Sequence, residues 1–179
     1  MKKVFVFVVF LSAVAAVVGQ PTYEKAESIE GVRAIASAQF NNAYLTMDSK
    51  GWSGNSSQGG GKVDSHHYIG THQLFEIKEI ENGIYTISST FFKNRHLRMD
   101  GRGVTPASKV PGGVVNLQDL VGAFERFKIH KNSDGTYSFE SVTFPGCYLT
   151  LNPNHAAGEV MVQNRSGAHE RFRLLQKAN

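Results

Sequence analysis

One cysteine, Cys147, stands among 179 residues, so no intrachain disulfide can form and stability has to come from packing. Such a cysteine is read as a small buried hydrophobe or as a free thiol. Charge of one sign is also scarce. The formal net charge is +4, and removal of Lys2 and Lys3 with the N-terminal segment discussed below leaves about +2, too little to attract nucleic acid or an anionic membrane. Apolar spacing of the helical kind is missing throughout the body of the chain. Long apolar runs are missing too, except at 4–18. That run follows Lys2-Lys3 and ends at Val17 and Gly19, the small residues a signal peptidase needs, so 1–19 is expected to be a signal peptide. It is short for a membrane span and no second run follows, so no membrane insertion is expected. The expected product begins at Gln20 and is secreted.

The signatures of catalysis are absent as well. There is no GxSxG elbow, no phosphate-binding loop, no metalloprotease motif and no recognisable carboxylate pair. His66, His67 and His72 match no standard metal spacing, and neighbours on a strand point to opposite faces. No enzyme activity, no metal and no cofactor are therefore expected. Export does give meaning to two sequons, Asn55-Ser56-Ser57 and Asn164-Arg165-Ser166, as candidate glycosylation sites.

What the chain has is repetition. At an offset of 52 residues, Glu30-Gly31, Asn82-Gly83 and Asp134-Gly135 recur, the last two being pairs that favour tight hairpin turns. Next come Ile35-Ala36-Ser37, Ile87-Ser88-Ser89 and Phe139-Glu140-Ser141, then Phe40, Phe92 and Phe144. Tyr44-Leu45-Thr46-Met47-Asp48 matches His96-Leu97-Arg98-Met99-Asp100 and Tyr148-Leu149-Thr150-Leu151-Asn152. Each copy closes with Val63, Val115 or Val160 twelve positions before Phe75, Phe127 or Phe172. The third copy alone has a shorter loop, between Asn152 and Val160.

Alternating apolar and polar residues at these positions predict half-buried strands, about four per copy. One such unit cannot bury its own apolar face. A linear stack of three would leave two open ends, and three blades are too few for a propeller. The expectation is an all-β fold, a β-trefoil of three four-stranded repeats (30–81, 82–133 and 134–179) with pseudo-threefold symmetry. Residues 20–29 read as a short leader with little order. All six recurrent phenylalanines are expected in the core.

Copy three, from Tyr137 to Leu149, resembles the arabinofuranose-binding (AbfB-type) domain family, in which a serine-phenylalanine-glutamate-serine phrase precedes proline-glycine and tyrosine-leucine. Ala168-His169-Glu170-Arg171-Phe172 resembles the box that closes that family's units. The resemblance implies a β-trefoil that binds carbohydrate. It is strongest in copy three, and the histidine that holds the sugar in that family is absent, Tyr148-Leu149 being followed by Thr150-Leu151. Phe139, Ser141, Pro145 and Leu149 also resemble a phrase of interleukin-1-like cytokines. Fibroblast-growth-factor-like trefoils, which are secreted, carry a denser basic patch than this chain has. The ricin-type glutamine-x-tryptophan signature is not found.

Sugar recognition needs short polar side chains beside an aromatic face. Copy one offers Tyr44, Asp48 and Asp64, copy two His96, Arg98 and Asp100, and copy three Tyr148, Asn152 and Asn154. Trp52, in the glycine-rich loop 49–62, is either a stacking platform or a plug at the end of a barrel. Tyr44 and Tyr148 also fit a core, and Asp48, Asp100 and Asn152 also fit turns. The expected partner is a glycan or glycoprotein bound through shallow repeat-related pockets. The alternative is a cytokine-like or growth-factor-like ligand of a cell-surface receptor.

Overall fold

The computed structural model describes residues 21–108, 110–154 and 159–178; the signal segment expected at 1–19 lies outside them. Strand β1 (Tyr23–Lys25) precedes three units of four. Unit 1 holds β2 (Gly31–Ser37), β3 (Tyr44–Asp48), β4 (Lys62–His66) and β5 (Leu74–Glu81). Unit 2 holds β6 (Ile84–Ser89), β7 (His96–Asp100), β8 (Val114–Gln118) and β9 (Phe127–Lys131). Unit 3 holds β10 (Tyr137–Ser141), β11 (Tyr148–Leu151), β12 (Val160–Gln163) and β13 (Phe172–Lys177).

The first and last strands of the units pair around a closed ring, β2 with β5, β5 with β6, β6 with β9, β9 with β10, β10 with β13, and β13 back to β2. Closure leaves this barrel without an open edge. The middle strands form hairpins β3–β4, β7–β8 and β11–β12, which cap one end. This is a β-trefoil, and its register keeps the symmetry: Arg33, Tyr85 and Tyr137 sit opposite Phe75, Phe127 and Phe172.

The repeated residues explain the repeated turns. Asn82 and Gly83 make a two-residue turn between Glu81 and Ile84, with Gly83 at φ 72°. At the start of each hairpin a serine side chain accepts from the backbone: Ser37 Oγ from Phe40 N at 3.1 Å, Ser89 Oγ from Phe92 N at 3.0 Å, and Ser141 Oγ from Phe144 N at 3.2 Å. Two residues after each phenylalanine the chain turns left-handed, at Asn42, Asn94 and Gly146, residue types that tolerate positive φ.

Phe75, Phe127 and Phe172 are fully buried beside Leu45, Met47, Leu97, Met99, Leu149 and Leu151. Phe40, Phe92 and Phe144 are not core residues as expected but half-buried. They sit in the hairpin turns, Phe40 and Phe144 packed against the core, and each ring reaches another unit: Phe40 lies 5.2 Å from His169, Phe92 4.8 Å from His72, and Phe144 5.3 Å from Phe124, centroid to centroid.

The leader is also more ordered than its composition predicts. β1 pairs with β13, Ala26 N donates to Leu174 O at 2.9 Å, and Ala26 is buried. Arg33 secures the segment by donating through Nε to Ser28 O at 3.0 Å and through Nη2 to Ser28 Oγ at 2.9 Å.

Candidate functional site

Each unit builds the same small concavity, between its cap hairpin and the turn that leads into its last strand. The turn is a Gly-x-x-Gln/Glu box whose long polar side chain folds back onto the glycine. Gly70 N donates to Gln73 Oε1 at 2.9 Å, Gly122 N to Glu125 Oε2 at 2.7 Å, and Gly167 N to Glu170 Oε2 at 2.7 Å. All three side chains are buried. They hold the backbone so that the intervening residues form one wall of a pocket.

The unit-1 pocket, about 480 Å³, runs from Thr46 and Asp48 past Asp64 and His66 to Tyr68 and the box 70–73. The unit-2 pocket, about 390 Å³, uses Arg98, Gln118 and Leu120 with the box 122–125. The unit-3 pocket, about 460 Å³, uses Asn152, Gln163 and Arg165 with the box 167–170. Residues 66, 118 and 163 are equivalent under the repeat, as are 68, 120 and 165, and 72, 124 and 169. The frame is shared while the walls vary, with Tyr68, Leu120 and Arg165 at one position and His72, Phe124 and His169 at another.

In units 2 and 3 a second wall comes from the preceding unit. Loop 49–62 lies against unit 2: Gly60 and Leu117 exchange backbone hydrogen bonds of 2.9 and 2.8 Å, and Gln118 Nε2 donates to Ser56 O at 2.9 Å. Asn55, Ser56 and Ser57 thereby line the unit-2 pocket. Gly112 and Val162 make the same exchange at 2.9 and 2.8 Å, which brings Val110 and Pro111 to the unit-3 pocket. At the third junction, Glu159 Oε2 accepts from Ser65 N at 2.7 Å and from Ser65 Oγ at 2.6 Å.

The pocket floors differ in charge. In unit 1, Gln73 Nε2 donates to Thr46 Oγ1 at 2.8 Å, a neutral buried pair. In unit 2 the equivalent positions hold Arg98 and Glu125, 3.9 Å apart, with Arg98 Nη2 also donating to Asp100 Oδ2 at 3.0 Å. The Arg98 guanidinium lies 4.8 Å from the centre of the Phe124 ring, a cation–π contact. Hydrogen bonds from Arg102, with Arg98 adding to them, hold the Asp100 carboxyl down at about 2, while burial pushes Glu125 up.

The residues expected to bind ligand divide accordingly. Asp48 and Asp64 line the unit-1 pocket, Arg98 the unit-2 pocket and Asn152 the unit-3 pocket. Asp48, Asp100 and Asn152 also form turns, accepting from Lys50 N, Arg102 N and Asn154 N at 2.8, 3.2 and 3.0 Å. Arg98 and Asp100 are buried and spend their polar atoms on each other and their neighbours, so neither presents a free group to solvent. Asp64 is paired with Lys62. Tyr44, His96 and Tyr148 are half-buried and line none of the three pockets; His96 Nδ1 lies 2.8 Å from Ser88 Oγ, and burial lowers its pKa. Asn154 is exposed in a turn outside them. Trp52 is half-buried: it packs on Gly60 with Arg95 4.6 Å from its ring centre, where a Cβ at Gly60 would stand 2.5 Å from the indole. His66 and His67 do not point apart as expected but stack with centroids 4.5 Å apart, because β4 ends at His66.

Sequence reasoning missed Gln73, Glu125 and Glu170. A signal was present, since each stands two positions before a core phenylalanine, the spacing of glutamine-x-tryptophan with phenylalanine in place of tryptophan. Gln118 and Gln163 were missed because they end strands whose inward residues had absorbed the pattern.

No protein-family profile matches the chain, and no curated protein matches it in sequence. Solved structures share its fold. A designed threefold-symmetric protein, ThreeFoil, aligns at 18% identity and TM-score 0.59, covering 82% of this chain and 99% of that one. SeviL, solved bound to the asialo-GM1 saccharide, aligns at 15% and 0.60, covering 84% and 100%. A Culex salivary protein of the cysteine and tryptophan-rich family aligns at 17% and 0.62, covering 86% and 97%.

Proposed function

We propose that this protein is a secreted lectin-like binder that recognises glycans through its repeat-related pockets. The observation that carries the reading is the recurrence of one concave frame at three equivalent positions, with polar and aromatic residues converging on each. A shallow site with a few fixed polar groups and a ring edge suits sugar hydroxyls and the apolar face of a pyranose or furanose. Unit 3 adds its likeness to arabinofuranose-binding domains, and SeviL, which shares the fold, was solved with a saccharide. Because the histidine of the arabinofuranose family is missing, its sugar is not assigned. The role is binding rather than catalysis, and export is proposed to follow from residues 1–19.

A glycan array with the protein lacking residues 1–19 tests this. Binding to a defined set of glycans, weakened by Arg165→Ala, supports the reading; an empty array together with specific capture of a cell-surface receptor would replace it with the growth-factor-like alternative.

A further inference from the structure

The two sequons are chemically alike and structurally opposite. Asn55 and Ser57 are exposed in loop 49–62. Asn164 is half-buried, and its Nδ2, the atom that would carry a sugar, is turned inward to Cys147 Sγ at 3.6 Å. A Cβ at Gly146 would stand 3.3 Å from that same nitrogen. The Ser166 hydroxyl of this second sequon lies 3.1 Å from Ser138 Oγ. The folded structure decides which glycan the finished protein can accommodate. A glycan on Asn164 would have to displace the packing around Cys147, whereas one on Asn55 leaves into solvent.

Asn55 is also held in place. Its backbone N–H donates to Asp119 Oδ2 at 3.2 Å, and it follows Gly54 in a left-handed turn, at φ 95° and 61°. It lines the unit-2 pocket together with Leu120 and Phe124. We infer that Asn55, and not Asn164, carries an N-linked glycan, and that this glycan covers the mouth of the unit-2 pocket and leaves units 1 and 3 to meet outside ligands. The donor is a lipid-pyrophosphate-linked oligosaccharide of the secretory pathway. The Asn55 amide nitrogen loses a proton and bonds to the anomeric carbon, while the bond from that carbon to the pyrophosphate breaks and the lipid pyrophosphate keeps the electron pair.

The inference rests on the export reading, so the full chain is expressed in eukaryotic cells beside residues 20–179 behind a heterologous export signal. Loss of secretion from the first alone counts against the native signal and leaves the second to test the site. Peptide mapping after enzymatic deglycosylation is expected to find Asn55 converted to aspartate and Asn164 unchanged. Asn55→Gln should lose one glycan's mass and Asn164→Gln none. A glycan on Asn164, or an unmodified Asn55 in secreted protein, overturns the assignment. Hydroxyl-radical labelling of Leu120 and Phe124 should rise several-fold once the glycan is removed; equal labelling before and after would show that the pocket is not covered.

Discussion

Asp100 shows how one side chain can be recruited by structure at the expense of recognition. Its carboxylate stands at the end of β7, where solvent exposure would make it a good ligand for a hydroxyl. Instead it is 4% exposed and accepts from Arg98, from Arg102 N and from the Arg102 guanidinium. Those donors favour the ionised form and place its pKa at about 2, below the ordinary value of 3.8. A depressed folded-state pKa contributes stability that is complete above the ordinary carboxylate range and disappears as pH falls through the folded value. At one pKa unit per 1.36 kcal/mol this is worth at most about 2 kcal/mol, reduced by solvent screening of the Arg102 side chain, which is 60% exposed. Asp100→Asn should therefore be less stable than the wild type by up to that amount at pH 6. The gap should close as pH drops toward the folded pKa, followed by urea titration at successive pH values. A gap that stays constant with pH would mean the carboxylate's charge is not what stabilises the turn.

Between elements, the informative comparison is internal, because units 1 and 2 solve one packing problem with different chemistry. Thr46 and Gln73 link β3 to the box of unit 1 through a neutral hydrogen bond, and Arg98 and Glu125 link β7 to the box of unit 2 through charge. Removing one partner of a buried pair strands the other, at a cost of about 3–5 kcal/mol. Arg98→Thr should incur a loss of that size, since Glu125 is only 4% exposed. Adding Glu125→Gln should recover part of it, because the amide can donate to the new hydroxyl as Gln73 does to Thr46, while Asp100 stays without its Arg98 donor. Denaturant melts of the two single variants and the double variant give the coupling, expected at about 2–3 kcal/mol; additive losses would sink the idea that the two positions act as a pair. The same elements show what could be read in advance. Strands were legible because apolar residues recur at every second position and the chain states this three times, in Leu45-Met47, Leu97-Met99 and Leu149-Leu151, although the intervening Thr46, Arg98 and Thr150 are buried as well. The pockets were not, because they are assembled across units: Asn55 and Asp119 are 64 positions apart, and Phe40 meets His169. The leader misled for a related reason, as β1 has little apolar character of its own and owes its order to pairing with β13.

For the whole molecule, the consequence of threefold closure is that three sites of modest size are carried on one rigid body. Pockets of 390–480 Å³ that stand open to solvent bind weakly one at a time, but sites held at fixed separation on a multivalent surface gain through effective concentration, by factors on the order of 10²–10⁴. Tyr68, Leu120 and Arg165 occupy equivalent wall positions and are exposed, Tyr68 at 57% and Leu120 at 74%, so replacing each by alanine should alter stability by no more than about 0.5 kcal/mol. In protein made without glycans, successive replacement should lower the number of soluble ligands bound step by step, as read by calorimetry. Retention on a ligand-coated surface should fall far more steeply than that count, because each lost site removes the effective concentration it gave the others. If one replacement abolished both signals while the other two changed neither, the molecule would be a one-site binder, and the repetition of the frame would reflect only the packing that closes the barrel.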